Sequence, residues 1–144
     1  MLRLTKKTDY GVIALIYLCT QRDRIVSARE IADKFGLPLP ILSNILKALS
    51  RRELIRSVRG TNGGYQVVQS PERIRLTQVI EALEGPIHLT ECLGHDGRDD
   101  SCSCQIMLRC PIWKPLSIVH RRVEDLLDAV TIASLTPSVA ATAE

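Results

Sequence analysis

Aromatic side chains are scarce in this 144-residue chain: one Trp, one Phe and three Tyr. Apolar residues nevertheless make up 45% of it, so a single core is within reach, built largely from aliphatic side chains. Long hydrophobic runs are missing. The stretch Val12 to Cys19 is far shorter than the roughly 20 residues that cross a bilayer, so no membrane partner is expected. The basic opening is not followed by a hydrophobic region with a small-residue cleavage site, so no secretory leader is expected and the expected location is the cytoplasm. Also absent are a phosphate-cradling glycine loop, a catalytic-triad pattern and a Cys-x-x-Cys at a helix start. The nearest thing to the last is Cys102-Ser103-Cys104 in a polar stretch. These absences speak against an enzyme. No internal repeats are visible.

What the chain has instead is a knot of thiols. Cys92, Cys102, Cys104 and Cys110 fall within nineteen residues. The text between them, from Gly94 to Ser101, carries almost no apolar side chain and reads as a loop. A loop can fold its sulfurs around one point, and thiolates are soft anionic ligands for zinc or iron–sulfur clusters. In a reducing cytosol such a cluster favours a metal site or a redox sensor over structural disulfides. Cys19 lies far away in an apolar run and reads as a small core residue.

Charge is divided along the chain. Residues 1–59 hold twelve Lys or Arg against five Asp or Glu, and residues 60–144 hold seven against eleven. A basic half followed by an acidic one suggests a nucleic-acid-binding part and a separate sensing or assembly part. The pattern within the basic half sharpens this. Thr8 to Thr20 reads as a buried helix. Ser27-Ala28-Arg29-Glu30 matches a capping box, with Ser27 as N-cap and Glu30 reaching back. A short helix follows with Ile31, Ala32 and Phe35 inward, and Gly36 stops it. Pro38 and Pro40 sit where a third helix begins. That helix runs to about Arg52 with Ile41, Leu42, Ile45, Leu46 and Leu49 buried. Its other face carries Ser43, Asn44, Lys47, Ser50 and Arg51.

Two short helices, a tight turn and a polar-basic face make a helix-turn-helix. The strand-like Leu54–Arg59 and Tyr65–Val68 flank Gly60-Thr61-Asn62-Gly63-Gly64, a turn-forming stretch, and together they read as the wing of a winged helix. Arg56 and Arg59 give that wing an outward charge suited to phosphates or a narrow minor groove. A helix from Leu76 to Glu84 is closed by Gly85-Pro86. A last helix is expected over 111–134, where Ile112, Leu116, Val119, Val123, Leu126 and Val130 step by four and three as a heptad seam. Such a seam suits a second copy of the chain, and a two-fold dimer suits a palindromic operator. The end of the chain reads as a small, polar, disordered tail.

Three segments carry a family resemblance: Leu2-Arg-Leu-Thr-Lys-Lys-Thr-Asp-Tyr10, Ser57-Val-Arg-Gly-Thr-Asn-Gly-Gly-Tyr65 and Val79-Ile-Glu-Ala-Leu-Glu-Gly-Pro86. Over residues 1–134 the chain resembles the Rrf-type family, that of IscR, NsrR and RirA. The stretch Pro86 to Cys92 is most similar to the branch that regulates SUF iron–sulfur assembly genes. The resemblance implies a mainly α fold with a small β-hairpin: a winged-helix DNA-binding domain (1–85), a cluster-binding loop (86–110), a long dimerisation helix (111–134) and a tail (135–144). It implies a homodimeric repressor that binds double-stranded DNA and senses iron–sulfur, redox, iron or nitric oxide status. Ser43, Asn44, Lys47, Arg51, Arg56 and Arg59 are the expected DNA contacts.

For the cluster, the resemblance implies Cys92, Cys104 and Cys110 as ligands. The last pair has the family's five-residue gap, and Cys92 has its Thr-Glu-Cys context. The longer gap after Cys92 contains Cys102, which stays open as an alternative to Cys104. Some members use a His three residues after the last cysteine, but here that residue is Trp113. Others use an N-terminal acid from the partner subunit, and Asp9 matches it; His88 and His95 are alternatives. A [4Fe–4S] cluster is placed ahead of [2Fe–2S]. The competing reading keeps the winged helix and puts a structural zinc or a thiol–disulfide switch on the same cysteines.

Overall fold

The computed structural model describes residues 3–93, 104–106 and 109–137. The first helix, α1 (Lys6–Thr20), starts two residues earlier than its apolar pattern suggested. The reason is Thr5, whose hydroxyl accepts a hydrogen bond from the Lys7 N–H at 3.2 Å and caps the helix. Helix α2 (Ala28–Phe35) opens as expected on Ser27, whose hydroxyl accepts from the Glu30 N–H at 3.1 Å. The expected return bond from the Glu30 carboxylate to Ser27 is not what forms. That carboxylate is held instead by Arg24, with one guanidinium nitrogen at 2.9 Å, and by the Tyr17 hydroxyl at 2.7 Å. A charge-assisted pair outcompetes a neutral backbone donor. The Arg24 bonds, then the Tyr17 bond, hold the Glu30 carboxyl down at about 2.

Gly36 closes α2 in the left-handed conformation (φ 64°), and α3 (Leu39–Arg51) follows after a short turn. The wing is the antiparallel pair β1 (Ile55–Val58) and β2 (Gly64–Val67), with Ile55 opposite Val67 and Val58 opposite Gly64. Val26 adds a third line to it by exchanging two backbone hydrogen bonds with Tyr65, at 2.9 and 2.7 Å. The backbones approach so closely here that a Cβ on Gly64 would lie 2.3 Å from the Val26 carbonyl oxygen.

The core is aliphatic, as the scarcity of aromatic residues required. Leu15, Leu18, Ile31, Leu42, Leu46, Leu49, Ile55, Ile74, Val79 and Ile132 are all buried. Two residues assigned inward by periodicity are on the surface instead. Phe35 is 41% exposed and lies edge-on to Tyr17, with ring centroids 5.6 Å apart. Ile41 is 45% exposed. It lies in the first turn of α3, one turn ahead of the buried Ile45, where none of the described elements fully covers it.

Helix α4 (Leu76–Glu84) is followed by a 3₁₀ turn at Glu91–Leu93 that packs against α5 (Trp113–Asp128). The single helix expected over 111–134 is in fact two, because α5 ends at Asp128 and a short α6 (Ile132–Leu135) follows. Thr131 caps α6, accepting from Ser134 N–H at 3.3 Å, while its own N–H donates to the Ser134 hydroxyl at 3.1 Å. The break lets Leu76 N–H reach the Val130 carbonyl (2.8 Å) and Ile132 N–H reach the Ile74 carbonyl (2.9 Å). It also buries Ile132 completely. Leaving Ile132 exposed would cost about 1.5–3 kcal/mol, which outweighs helix continuity. Residues 138–144, most of the expected tail, lie outside the described residues.

Glu53 closes α3 with φ 59°, a left-handed position occupied by a residue with a side chain. That conformation costs a non-glycine residue about 1 kcal/mol. Glu53→Gly is expected to stabilise the protein by up to about 0.5 kcal/mol in urea denaturation, most of the relief being offset by glycine's freedom when unfolded. A lowered unfolding midpoint would show that the Glu53 side chain contributes more than its backbone strain removes.

Candidate functional site

Four of the six residues expected to face DNA share α3. Asn44, Lys47 and Arg51 are exposed along one stripe, and Ser43 is half-buried beside them. The wing brings the other two. Arg56 is exposed on β1 and donates to the Gln66 side-chain oxygen at 2.6 Å across the hairpin. Gln66 in turn donates to the Arg22 carbonyl at 2.9 Å, which ties the wing to the turn after α1. Arg59 is exposed just past the end of β1.

Helix and wing meet in a groove of about 200 Å³ lined by Lys47, Ser50, Arg51, Ser57 and Tyr65. Ser57 and Tyr65 were not singled out by the sequence, because their strand pattern does not say which side faces α3. A second notch, about 180 Å³, runs beside the start of α3 and is lined by Lys7, Ile41, Asn44, Ile45, Ala48 and Leu83.

The thiols occupy a different part of the molecule. Cys92 lies in the 3₁₀ turn and is half-buried, its sulfur 3.2 Å from the Thr90 hydroxyl. Cys104 and Cys110 are also half-buried, and all three are free thiols. Cys110 lies three residues ahead of α5. Among the described residues no three Cys, His, Asp or Glu side chains converge as a ready metal site. Thiolates repel one another, so a site of this kind closes with its metal. Cys102 and His95 fall outside the described residues.

Asp9 is exposed on the first turn of α1, and His88 is exposed beyond α4. The His88 and His120 rings lie 6.3 Å apart. His120 Nε2 is 3.3 Å from the Glu124 carboxylate, while His120 Nδ1 and Trp113 Nε1 are buried without a partner among the described residues.

Two acidic residues join these regions. Glu84, the last residue of α4, accepts from the Thr5 N–H (3.0 Å), the Thr5 hydroxyl (2.7 Å) and the Thr8 hydroxyl. Burial pushes its carboxyl up, but the bonds from Thr8 and Thr5 outweigh that and hold it below the ordinary glutamate range. Asp128, the last residue of α5, accepts from the Thr77 hydroxyl at 2.7 Å and pairs with Arg75. The sequence hinted at the first of these only through the Glu84-Gly-Pro motif.

A helix-turn-helix with an exposed polar and basic second helix, backed by a hairpin carrying two further arginines, defines a winged-helix DNA-binding regulator. The chain belongs to the Rrf2 family of iron-dependent transcriptional regulators, whose profile matches residues 4–138. The HTH-type transcriptional regulator IscR of Sodalis glossinidius is 30% identical over 93% of this chain and 78% of its own length. The structure of T. potens IscR, 26% identical, superposes with a TM-score of 0.68, covering 99% of this chain and 93% of that one. CymR of Staphylococcus aureus, 31% identical, superposes with a TM-score of 0.66, covering 94% of this chain and 98% of its own. The protein is therefore a transcriptional regulator and not an enzyme. Among the described residues no helix is long and apolar enough to cross a membrane.

Cys19 stands apart from the other thiols. Burial pushes it up to about 11, with Arg22 opposing and Glu72 adding slightly. A group so high is almost wholly protonated at pH 8, so it should alkylate about 100-fold more slowly than an ordinary thiol. Mass spectrometry of folded, metal-free protein treated briefly with iodoacetamide should find Cys92, Cys104 and Cys110 modified and Cys19 spared. Cys19 is half-buried at the edge of the core rather than inside it, so equal modification would show that this packing does not shield it.

Proposed function

We propose that this protein is a homodimeric, iron–sulfur-dependent repressor that reads a palindromic operator and controls genes of iron–sulfur cluster assembly. The observation that carries the dimer is α5, in which no residue is fully buried within the protomer. Ile112, Val119 and Leu126, spaced by seven, are 59%, 48% and 66% exposed, with Ile118 beside them at 57%. Leu116, Val123 and Val130, the alternate positions of the heptad, are half-buried against their own protomer. The exposed half of the seam suits a second copy. Pairing two protomers along α5 would set two α3 helices on successive major grooves, about 34 Å apart. Ser43, Asn44, Lys47 and Arg51 would then meet bases and phosphates from α3, and Arg56 and Arg59 from the wing.

The donor set suits an iron–sulfur cluster. Cys92, Cys104 and Cys110 would hold it, with Asp9 of the partner subunit as the fourth ligand and a [4Fe–4S] type favoured over [2Fe–2S]. Cys110 lies just ahead of α5, whose N-terminal dipole favours an anionic group. When bound, such a group supplies sensitivity to oxygen, nitric oxide and iron supply. The loop it would occupy joins the end of α4 to the start of α5, so its state would bias how the two reading heads are spaced. The competing reading puts zinc or a thiol–disulfide switch on the same three thiols, all of them free and partly accessible.

Anaerobic reconstitution with iron and sulfide decides between these readings. The expected product is coloured, with Cys104→Ala losing the cluster, Cys102→Ala keeping it and Asp9→Ala leaving it labile. A colourless protein carrying zinc, or a reversible disulfide without metal, would overturn the cluster reading. Retention in Cys104→Ala with loss in Cys102→Ala would move the ligand to Cys102.

Leu126 is exposed on the protomer, so Leu126→Asp should leave the fold intact while burying two carboxylates in the dimer. Analytical ultracentrifugation should show monomers, with binding to a two-half-site duplex weakened at least 100-fold at matched salt. A persistent dimer would show that copies meet elsewhere.

A further inference from the structure

The helix proposed to enter the major groove carries one exposed apolar side chain that periodicity assigned to the core. Ile41 is 45% exposed in the first turn of α3, and Asn44 is exposed three residues on. Single exposed apolar residues are ordinary on protein surfaces, so exposure by itself says little. Its position says more. Base edges are met by the N-terminal residues of a recognition helix. Ile41 occupies that turn on the side that continues into Asn44, and the two line the same 180 Å³ notch with Ala48. Lys7 lines the notch, and the exposed Lys47 and Arg51 follow further along α3. Such a surface suits a polyanion rather than a purely apolar partner.

The one apolar feature on a major-groove edge is the C5-methyl of thymine. We infer that Ile41 is a specificity-determining residue that packs on a thymine methyl in each half-site. This rests on the DNA-reading function proposed above and adds a base preference to it. Side chains three apart on a helix stand about 5–6 Å from each other. The thymine therefore lies within one or two base pairs of the base met by Asn44. An Asn pairs most specifically with adenine through its two polar atoms. Ile41 and Asn44 together thus favour an A·T-containing step under the start of α3, with the methyl and the adenine edge read by different side chains.

The test uses the full-length protein, prepared anaerobically, and a duplex selected by it from a random pool. Each thymine of one half-site is replaced singly by deoxyuridine, which removes the methyl and nothing else. Wild-type protein should lose about 4-fold in affinity at one thymine, the effect of one buried methyl group. Ile41→Ala should bind the thymine duplex several-fold more weakly and be indifferent to deoxyuridine at that position. Ile41→Val should keep most of the discrimination, and thermal unfolding of both variants should match wild type. Deoxyuridine effects that are the same in wild type and Ile41→Ala at every position would overturn the assignment, as would a selected half-site without thymine. Failure of wild-type protein to select any duplex would instead overturn the DNA-reading function itself, so the two failures are distinguishable.

Discussion

The architecture depends on carboxylates placed at the ends of helices, where their own helix does not favour them. Asp128 ends α5 and Glu84 ends α4. A negative charge at a helix C-terminus opposes the dipole of that helix. Each acid is used instead at the start of another helix. Asp128 meets Arg75 and Thr77 at the beginning of α4, and Glu84 meets Thr5 and Thr8 at the beginning of α1. Glu84 takes the part that a capping-box glutamate plays within one helix, here supplied from elsewhere in the chain. It also satisfies the hydroxyl of Thr8, which is only 1% exposed.

The two acids thus connect α5 to α4 and α4 to α1. Packing extends the connection to α3, since a Cβ on Gly11 would lie 2.5 Å from Leu83 and 3.5 Å from Ile45. At Gly11 the three helices α1, α3 and α4 approach one another closely, so a side chain there would have to displace Leu83. The cysteine segment leads from the Glu84 end of α4 to the start of α5, the end of α5 opposite Asp128.

The seam on α5 follows from the same arrangement. With Leu127 and Val130 packed beside Leu76, Ile80 and Ile87, the helix rests on its own protomer along one edge only. Ile112, Val119 and Leu126 are left facing outward. The break after Asp128 sharpens this division, because Ile132 turns into the main core as α6 begins.

The sequence by itself determined the helix-turn-helix, the hairpin after it and the aliphatic character of the core. These are local matters, set by the Ser27 cap, the Gly36 stop, the glycine-rich turn at residues 60–64 and apolar periodicity. It also named the polar residues on α3, since a face opposite a buried stripe is forced outward. The tertiary structure decided the rest. It sent the Glu30 carboxylate to Arg24 instead of back to Ser27, because a charged donor was nearby in space. It turned Ile41 and Phe35 to the surface, since periodicity gives a face but not how far a neighbouring helix covers it. It split the last helix because burying Ile132 outweighs continuing a regular backbone. The roles of Glu84 and Asp128 were likewise invisible in the sequence: their partners lie 76 to 79 and 51 to 53 residues away, and only folding brings them together.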